Sequence, residues 1–301
     1  MIHINGGIMI KKLSLVIFLL IFGCTPKQNS YDLKINQESV PITELPYFET
    51  VDSKPGWEER SAEFIKWNST GVRIDNPGGS GTMSHYDAKE NWMYIISCGH
   101  LFFEGVGSVE FYKKNPRTEK ISVFYHNEKK LKSYKNYNAE VVCHIWKNNI
   151  HDVSLLRFKP DWENPWVTPM VSKEYEMASG TWFHNVGCDG KSEVAHYLVK
   201  FSRPNVRNGV EELICVQNVA RGGRSGGGLI TDDQKLVGIT SRSDRISTSY
   251  YTSYKQIHQF LTEQKFEFVL TDTSNLANKI PIIDRNNPQG KYPPDYIPTP
   301  N

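Results

Sequence analysis

Residues 221–230 read RGGRSGGGLI, and the seven positions from Gly222 to Gly228 hold five glycines and one serine. A serine hydroxyl is a poor nucleophile alone. It needs a base to take its proton and donors to hold an oxyanion. Glycine accepts φ > 0 and lets the backbone approach a reacting group closely. The N–H groups of Gly223 and Ser225 are therefore candidate oxyanion donors. Taken alone, the same stretch fits a glycine-rich hairpin without chemistry. Candidate partners lie upstream. His100 closes the run MYIISCGH, where an apolar strand delivers an imidazole to its end. Asp152 opens the run DVSLLRF, and a carboxylate at the head of a buried strand is costly unless it has a partner. The bland alternatives are a satisfied core histidine and a loop-ending aspartate. His151 adjoins Asp152 but alternates to the opposite face of a strand, so it and His144 read as structural or surface residues.

The elements that must position these groups are mostly short strands rich in β-branched and aromatic residues. They are 92–97, 139–146, 152–158, 180–187, 194–201, 212–218 and 235–241. Asp232, Asp233 and Gln234 form a turn signal between GGLIT and KLVGIT, which predicts a hairpin. SYKQIHQFLTE carries Tyr254, Ile257, Phe260 and Leu261 on one helical face; no other helix is convincing. Many strands with one closing helix predict an all-β fold of barrels or a sandwich. A formal net charge of +2 gives no push toward nucleic acid.

The order His100, Asp152, Ser225 is that of the chymotrypsin-type triad and differs from the orders in subtilisin and the α/β-hydrolases. SCGH resembles the segment around the base histidine of trypsin-like serine peptidases. HDVSLLRF resembles their aspartate segment and GRSGGGLI their nucleophile segment. GGSGTM (78–83), KLVGITS and SYKQIHQFL are similar to further anchors, in family order over about residues 70–265. The resemblance implies two six-stranded antiparallel β-barrels with a cleft between them and a C-terminal helix. It assigns His100 as base, Asp152 as orienting carboxylate and Ser225 as nucleophile. Gly223 and Ser225 become oxyanion donors, and Ser241 flanks the aspartate and the substrate backbone. Val219 falls at the floor of the specificity pocket, where an apolar residue disfavours a basic P1 side chain. The substrate would be a protein or peptide, with no cofactor and no metal. The alternative is a pseudoprotease, the same barrels used only for binding at the cell envelope.

Arg224 departs from the animal digestive enzymes, whose aspartate there pairs with a new N-terminus after activation cleavage. Arginine cannot make that pair, so no such activation is expected, and the order of the serine loop becomes the open question. Arg221, Arg224, Arg242 and Arg245 border the expected cleft. They either steer acidic substrates or are solvated surface charges.

Met9 is followed by two lysines, the apolar run LSLVIFLLIF and Gly23-Cys24, the pattern of an export signal. IFGC resembles the lipobox of bacterial lipoproteins, which predicts a signal over 1–23 and a membrane lipid anchor on Cys24; plain secretion is the alternative. Residues 24–60 read as a polar linker and 61–270 as the peptidase domain, with barrels at about 68–165 and 175–250 and the helix at about 253–264. Residues 271–301 read as a proline-rich disordered tail. An exported chain can oxidise Cys98, Cys143, Cys188 and Cys215. Either Cys188 pairs with Cys215, or all four are buried free thiols. A metal site on Cys98, His100, Cys143, His144 and Cys188 is a further rival, although their spacing departs from usual zinc patterns.

Overall fold

The computed structural model describes residues 68–125, 133–161, 166–190 and 193–273. The expectations for Cys24, the signal, the linker and the tail beyond 273 lie outside these residues. Among the described residues no helix is long and apolar enough to cross a membrane.

The first barrel is built from β1 (Gly71–Ile74), β2 (Gly79–Asp87), β3 (Trp92–Ser97), β5 (Thr118–Tyr125), β6 (Ser133–Lys147) and β7 (His151–Phe158), with β4 (Gly105–Gly107) added at an edge of β6. β6 is long enough to serve two barrel neighbours besides β4. Its first half pairs with β5, and its second half pairs with β7, with a bulge between Val141 and Cys143. Such an extra residue bends a strand and lets a sheet close on itself. A short helix α1 (Val109–Lys114) follows β4, capped by the Ser108 side chain.

The second barrel closes in the order β10-β13-β12-β11-β8-β9. Its strands are β8 (Trp182–Cys188), β9 (Val194–Arg207), β10 (Val210–Val216), β11 (Gly228–Ile230), β12 (Leu236–Ser243) and β13 (Thr248–Ser253). The expected hairpin is β11–β12. Helix α2 (Tyr254–Glu263) closes the fold, capped by the Ser253 hydroxyl, and buries Tyr254, Ile257, Phe260 and Leu261. The fold is thus two closed six-stranded antiparallel barrels with a C-terminal helix, as the sequence predicts.

Val72, Ile74, Met83, Ile95 and Ile121 fill the first barrel. A second apolar cluster fills the other barrel and continues onto Ile96, Val153 and Leu155 of the first, which joins the two. Burying such a side chain contributes about 1.5–3 kcal/mol, so the apolar faces hold strand register against slippage. Beyond α2 the chain returns to the first barrel. The Thr271 carbonyl meets His85 Nδ1 at 3.2 Å, and Tyr86 N–H donates to Thr273 Oγ1.

Candidate active site

β3 ends at Ser97, and a single turn of tight helix over Gly99–Leu101 carries His100. β7 runs antiparallel to β3 and brings Asp152 beneath it. The Asp152 carboxylate is buried and accepts three hydrogen bonds. His100 donates twice, from its backbone N–H to Oδ1 and from Nδ1 to Oδ2, both at 2.8 Å. The third donor is Ser241 Oγ, at 2.6 Å from Oδ2. β12 has an irregular register between Thr240 and Arg242, which turns Ser241 out of the ladder. The Asp152 carbonyl also accepts from Thr252 Oγ1. Two residues of the second barrel thus hold an aspartate of the first.

The other ring nitrogen, His100 Nε2, lies 3.7 Å from Cys98 Sγ. Burial raises the pKa of the Cys98 thiol. Burial opposes a charge on His100, but the Cys98 sulfur and the Asp152 carboxylate favour it, and the balance raises the histidine pKa above 6.5. Among the described residues, the Ser225 hydroxyl has no hydrogen-bond partner. Its loop is nonetheless pressed against the end of β3. Ser80 N–H donates to the Ser225 carbonyl at 2.7 Å. A Cβ on Gly226 would lie 2.1 Å from Ser97 Oγ and 2.9 Å from Cys98 N, and Gly226 has φ 86°.

Peptide planarity turns two further contacts into an orientation. The Gly222 carbonyl accepts from Gly190 N–H at 2.6 Å, so the Gly223 N–H of the same peptide points away from it. The Arg224 carbonyl accepts from Gly227 N–H at 2.8 Å, which fixes the Ser225 N–H in the same way. Within the loop, the N–H groups of Arg224, Gly226 and Gly227 donate to backbone carbonyls, while those of Gly223 and Ser225 do so to none among the described residues. Gly223 has φ 95°, a conformation that suits glycine. Its carbonyl accepts from Ser80 Oγ, which also accepts from Cys188 N–H.

The expectation for the four arginines needs correction. Arg224 is fully buried and paired with Asp189, so it steers nothing. Arg242 stacks on Tyr250 and pairs with buried Glu212, and its Nη1 also reaches the Asn149 carbonyl of the first barrel at 3.0 Å. Arg221 and Arg245 are exposed. Val219 is half-buried. The next residue, Ala220, is tied at both ends, its N–H to Ser249 Oγ and its carbonyl to Ser243 Oγ.

All four described cysteines are free and buried, so the Cys188–Cys215 bridge is not formed. The five-residue metal cluster also fails to assemble. Cys143 and Cys188 sit in the apolar core, and His144 bonds Tyr112 Oη and the Phe103 carbonyl. Among the described residues, only Cys98, His100 and Asp152 come together in this way. Sequence reasoning missed Ser80, Asp189 and the Cys98 contact. A signal existed for Ser80 in GGSGTM, but none pointed from Asp189 to Arg224.

Solved structures similar to this chain include serine proteases. The Rv3671c protease of M. tuberculosis, in an inactive form, is 15% identical over 70% of this chain and 98% of its own, with a TM-score of 0.45. A serine endoprotease from Yersinia pestis is 14% identical over 69% of this chain and 65% of its own, with a TM-score of 0.44. Deg5 is 12% identical over 65% of this chain and 89% of its own, with a TM-score of 0.48. No family model matches the chain, and no curated protein does.

Proposed function

We propose that the chain is a serine endopeptidase acting through an acyl-enzyme. Ser225 Oγ attacks the scissile carbonyl carbon while His100 Nε2 takes the hydroxyl proton. The carbonyl oxygen becomes an oxyanion held by the N–H groups of Gly223 and Ser225. His100 then gives the proton to the leaving amine as the C–N bond breaks. Water repeats the sequence and releases the acid. Asp152 keeps the proton on Nδ1 and stabilises the imidazolium. The observation that carries this reading is the double hydrogen bond from His100 to a buried carboxylate, beside a loop whose Gly223 and Ser225 N–H groups are left undirected to any carbonyl of the described backbone. Catalysis requires Nε2 to exchange the Cys98 sulfur for the Ser225 hydroxyl, and loose contacts of this kind commonly tighten when substrate binds.

Half-buried Val219 gives a basic P1 side chain no counter-ion, which supports a preference for uncharged P1 residues. The N-terminal signal supports export and a lipid anchor on Cys24, at the cell envelope. The second reading, a binding module without turnover, draws on the Cys98–His100 contact and the unpartnered Ser225 hydroxyl. A fluorophosphonate probe separates the two. Peptidase action predicts labelling that is lost in Ser225→Ala and in His100→Ala. An unlabelled, folded wild-type protein overturns it. Profiling with a peptide library then reads the P1 residue, and preferred cleavage after Lys or Arg overturns the specificity reading.

A further inference from the structure

Arg224 immediately precedes Ser225, yet it is wholly buried. Its guanidinium directs its donors at the β8–β9 hairpin. Nε donates to Asp189 Oδ1 at 2.8 Å and Nη2 to Oδ2 at 3.4 Å. Nη1 donates to the carbonyls of Asn185 at 2.8 Å and Ala195 at 3.1 Å. The guanidinium carbon lies 3.7 Å from the centre of the Tyr197 ring, and the Tyr197 hydroxyl donates to Asp189 Oδ2. A buried guanidinium is destabilising unless fully paired, and an apolar side chain of similar volume fills such a space with a smaller desolvation penalty. What the charged fork adds is direction, because its planar donors accept only one arrangement of partners.

That direction bears on the serine loop. Asp189 and Gly190 are consecutive. Asp189 holds the Arg224 side chain, and Gly190 N–H holds the Gly222 carbonyl. The two ties flank Gly223, and the Gly190 bond aims its N–H. The loop is therefore anchored on both sides of Gly223 by one turn of the same barrel. We infer that the Arg224–Asp189 pair is a positioning device, built into the chain, that holds the Ser225 loop in its working conformation without any cleavage to create a new terminus. This inference rests on the proposed peptidase reading for its consequence in rate, but not for its consequence in loop order.

The test combines amide hydrogen exchange over residues 221–227 with the kinetics of fluorophosphonate labelling. The proteins are the wild type, Asp189→Asn, Arg224→Met and the double variant. Asp189→Asn keeps a hydrogen-bonding group of the same shape; Arg224→Met keeps the volume and leaves no buried cation unpaired. Exchange in the loop is expected to accelerate in each variant while the β-strands of both barrels stay protected. The chemical labelling rate constant is expected to fall about 100-fold or more, the loss typical of a misplaced oxyanion donor, with the half-saturating probe concentration changed less than about threefold. If the pair acts as a unit, the double variant loses no more than either single one. Unchanged loop exchange in both folded single variants overturns the inference. So does labelling that weakens only through probe affinity. A wild type that is never labelled, with a loop that still opens in the variants, overturns the peptidase reading and keeps the loop inference.

Discussion

The Cys98 sulfur lies 3.7 Å from Nε2 of His100, on the ring nitrogen that a serine nucleophile would use. The opposite nitrogen is committed to Asp152. The imidazole therefore sits between a buried carboxylate and a buried thiol, and its protonation depends on both.

Removing the sulfur removes one group that favours the imidazolium. Cys98→Ala is expected to lower the His100 pKa, by about one to two units if the lost contact has the worth of a hydrogen bond to a charged group. On the proposed peptidase reading turnover needs the neutral ring, so the rising limb of kcat/KM against pH should move to lower pH in this variant. A limb that stays in place would show that the thiol does not influence the base.

Ser241 donates to the oxygen of Asp152 that also receives His100 Nδ1–H. Ser241→Ala leaves the carboxylate one donor short in a buried site, a loss of about 1.5–3 kcal/mol for a bond to a charged group. The expected result is a lower unfolding midpoint and a labelling rate reduced about tenfold, since the imidazolium would be less firmly oriented. Identical rates and midpoints would mean that Thr252 and the His100 backbone hold Asp152 without help.

Gly226 is the close contact between the serine loop and the end of β3. Its φ is 86°, and a Cβ there would stand 2.2 Å from the Ser80 carbonyl oxygen, so no side chain fits. Gly226→Ala is expected to cost about 2 kcal/mol or more of stability and to abolish labelling of Ser225. A fully labelled alanine variant would mean that the loop can leave β3 and still work.

Buried histidines contribute to a loss of stability in acid. Burial lowers the pKa of His85, His144 and His258, and it lowers His196 to about 3, with His184 and Arg224 adding to the effect. A group whose folded pKa is depressed stabilises the fold above its unfolded pKa, and that contribution is lost as pH falls. The unfolding midpoint should therefore fall as pH drops below 6.5, the ordinary histidine value. His100 acts in the opposite sense. Its raised pKa stabilises most below 6.5, and the contribution fades as pH rises through the folded value. His196→Gln should flatten the acid side of the curve. An unchanged slope in that variant would assign the acid sensitivity to the other histidines and to Asp233 and Asp244, whose carboxyls are also held low.

The strands were legible because runs of β-branched and aromatic residues and turn signals act locally, whereas the choice of two barrels over a sandwich came from the motif resemblance. Residues 92–97 became β3, and Tyr254, Ile257, Phe260 and Leu261 became the buried face of α2. Helix α1 escaped notice because it is short and buries only Tyr112, so no apolar stripe announces it. Arg224 reads as a surface charge in any local window. Its burial depends on Asp189, 35 positions earlier, and on the rings and carbonyls of a hairpin that exists only once the barrel closes. The Cys98 contact was hidden for a different reason. The sequence puts the two residues close together, but only the turn at Gly99–Leu101 aims the ring at the sulfur.

Asp152 is synthesised well before the groups that complete its surroundings. Ser241 follows it by 89 positions and Thr252 by 100. A chain still emerging from the ribosome holds the strands of the first barrel while this acid lacks the partners that the second supplies. The donors that fix this buried acid arrive only in a late step, when β12 and β13 take their places.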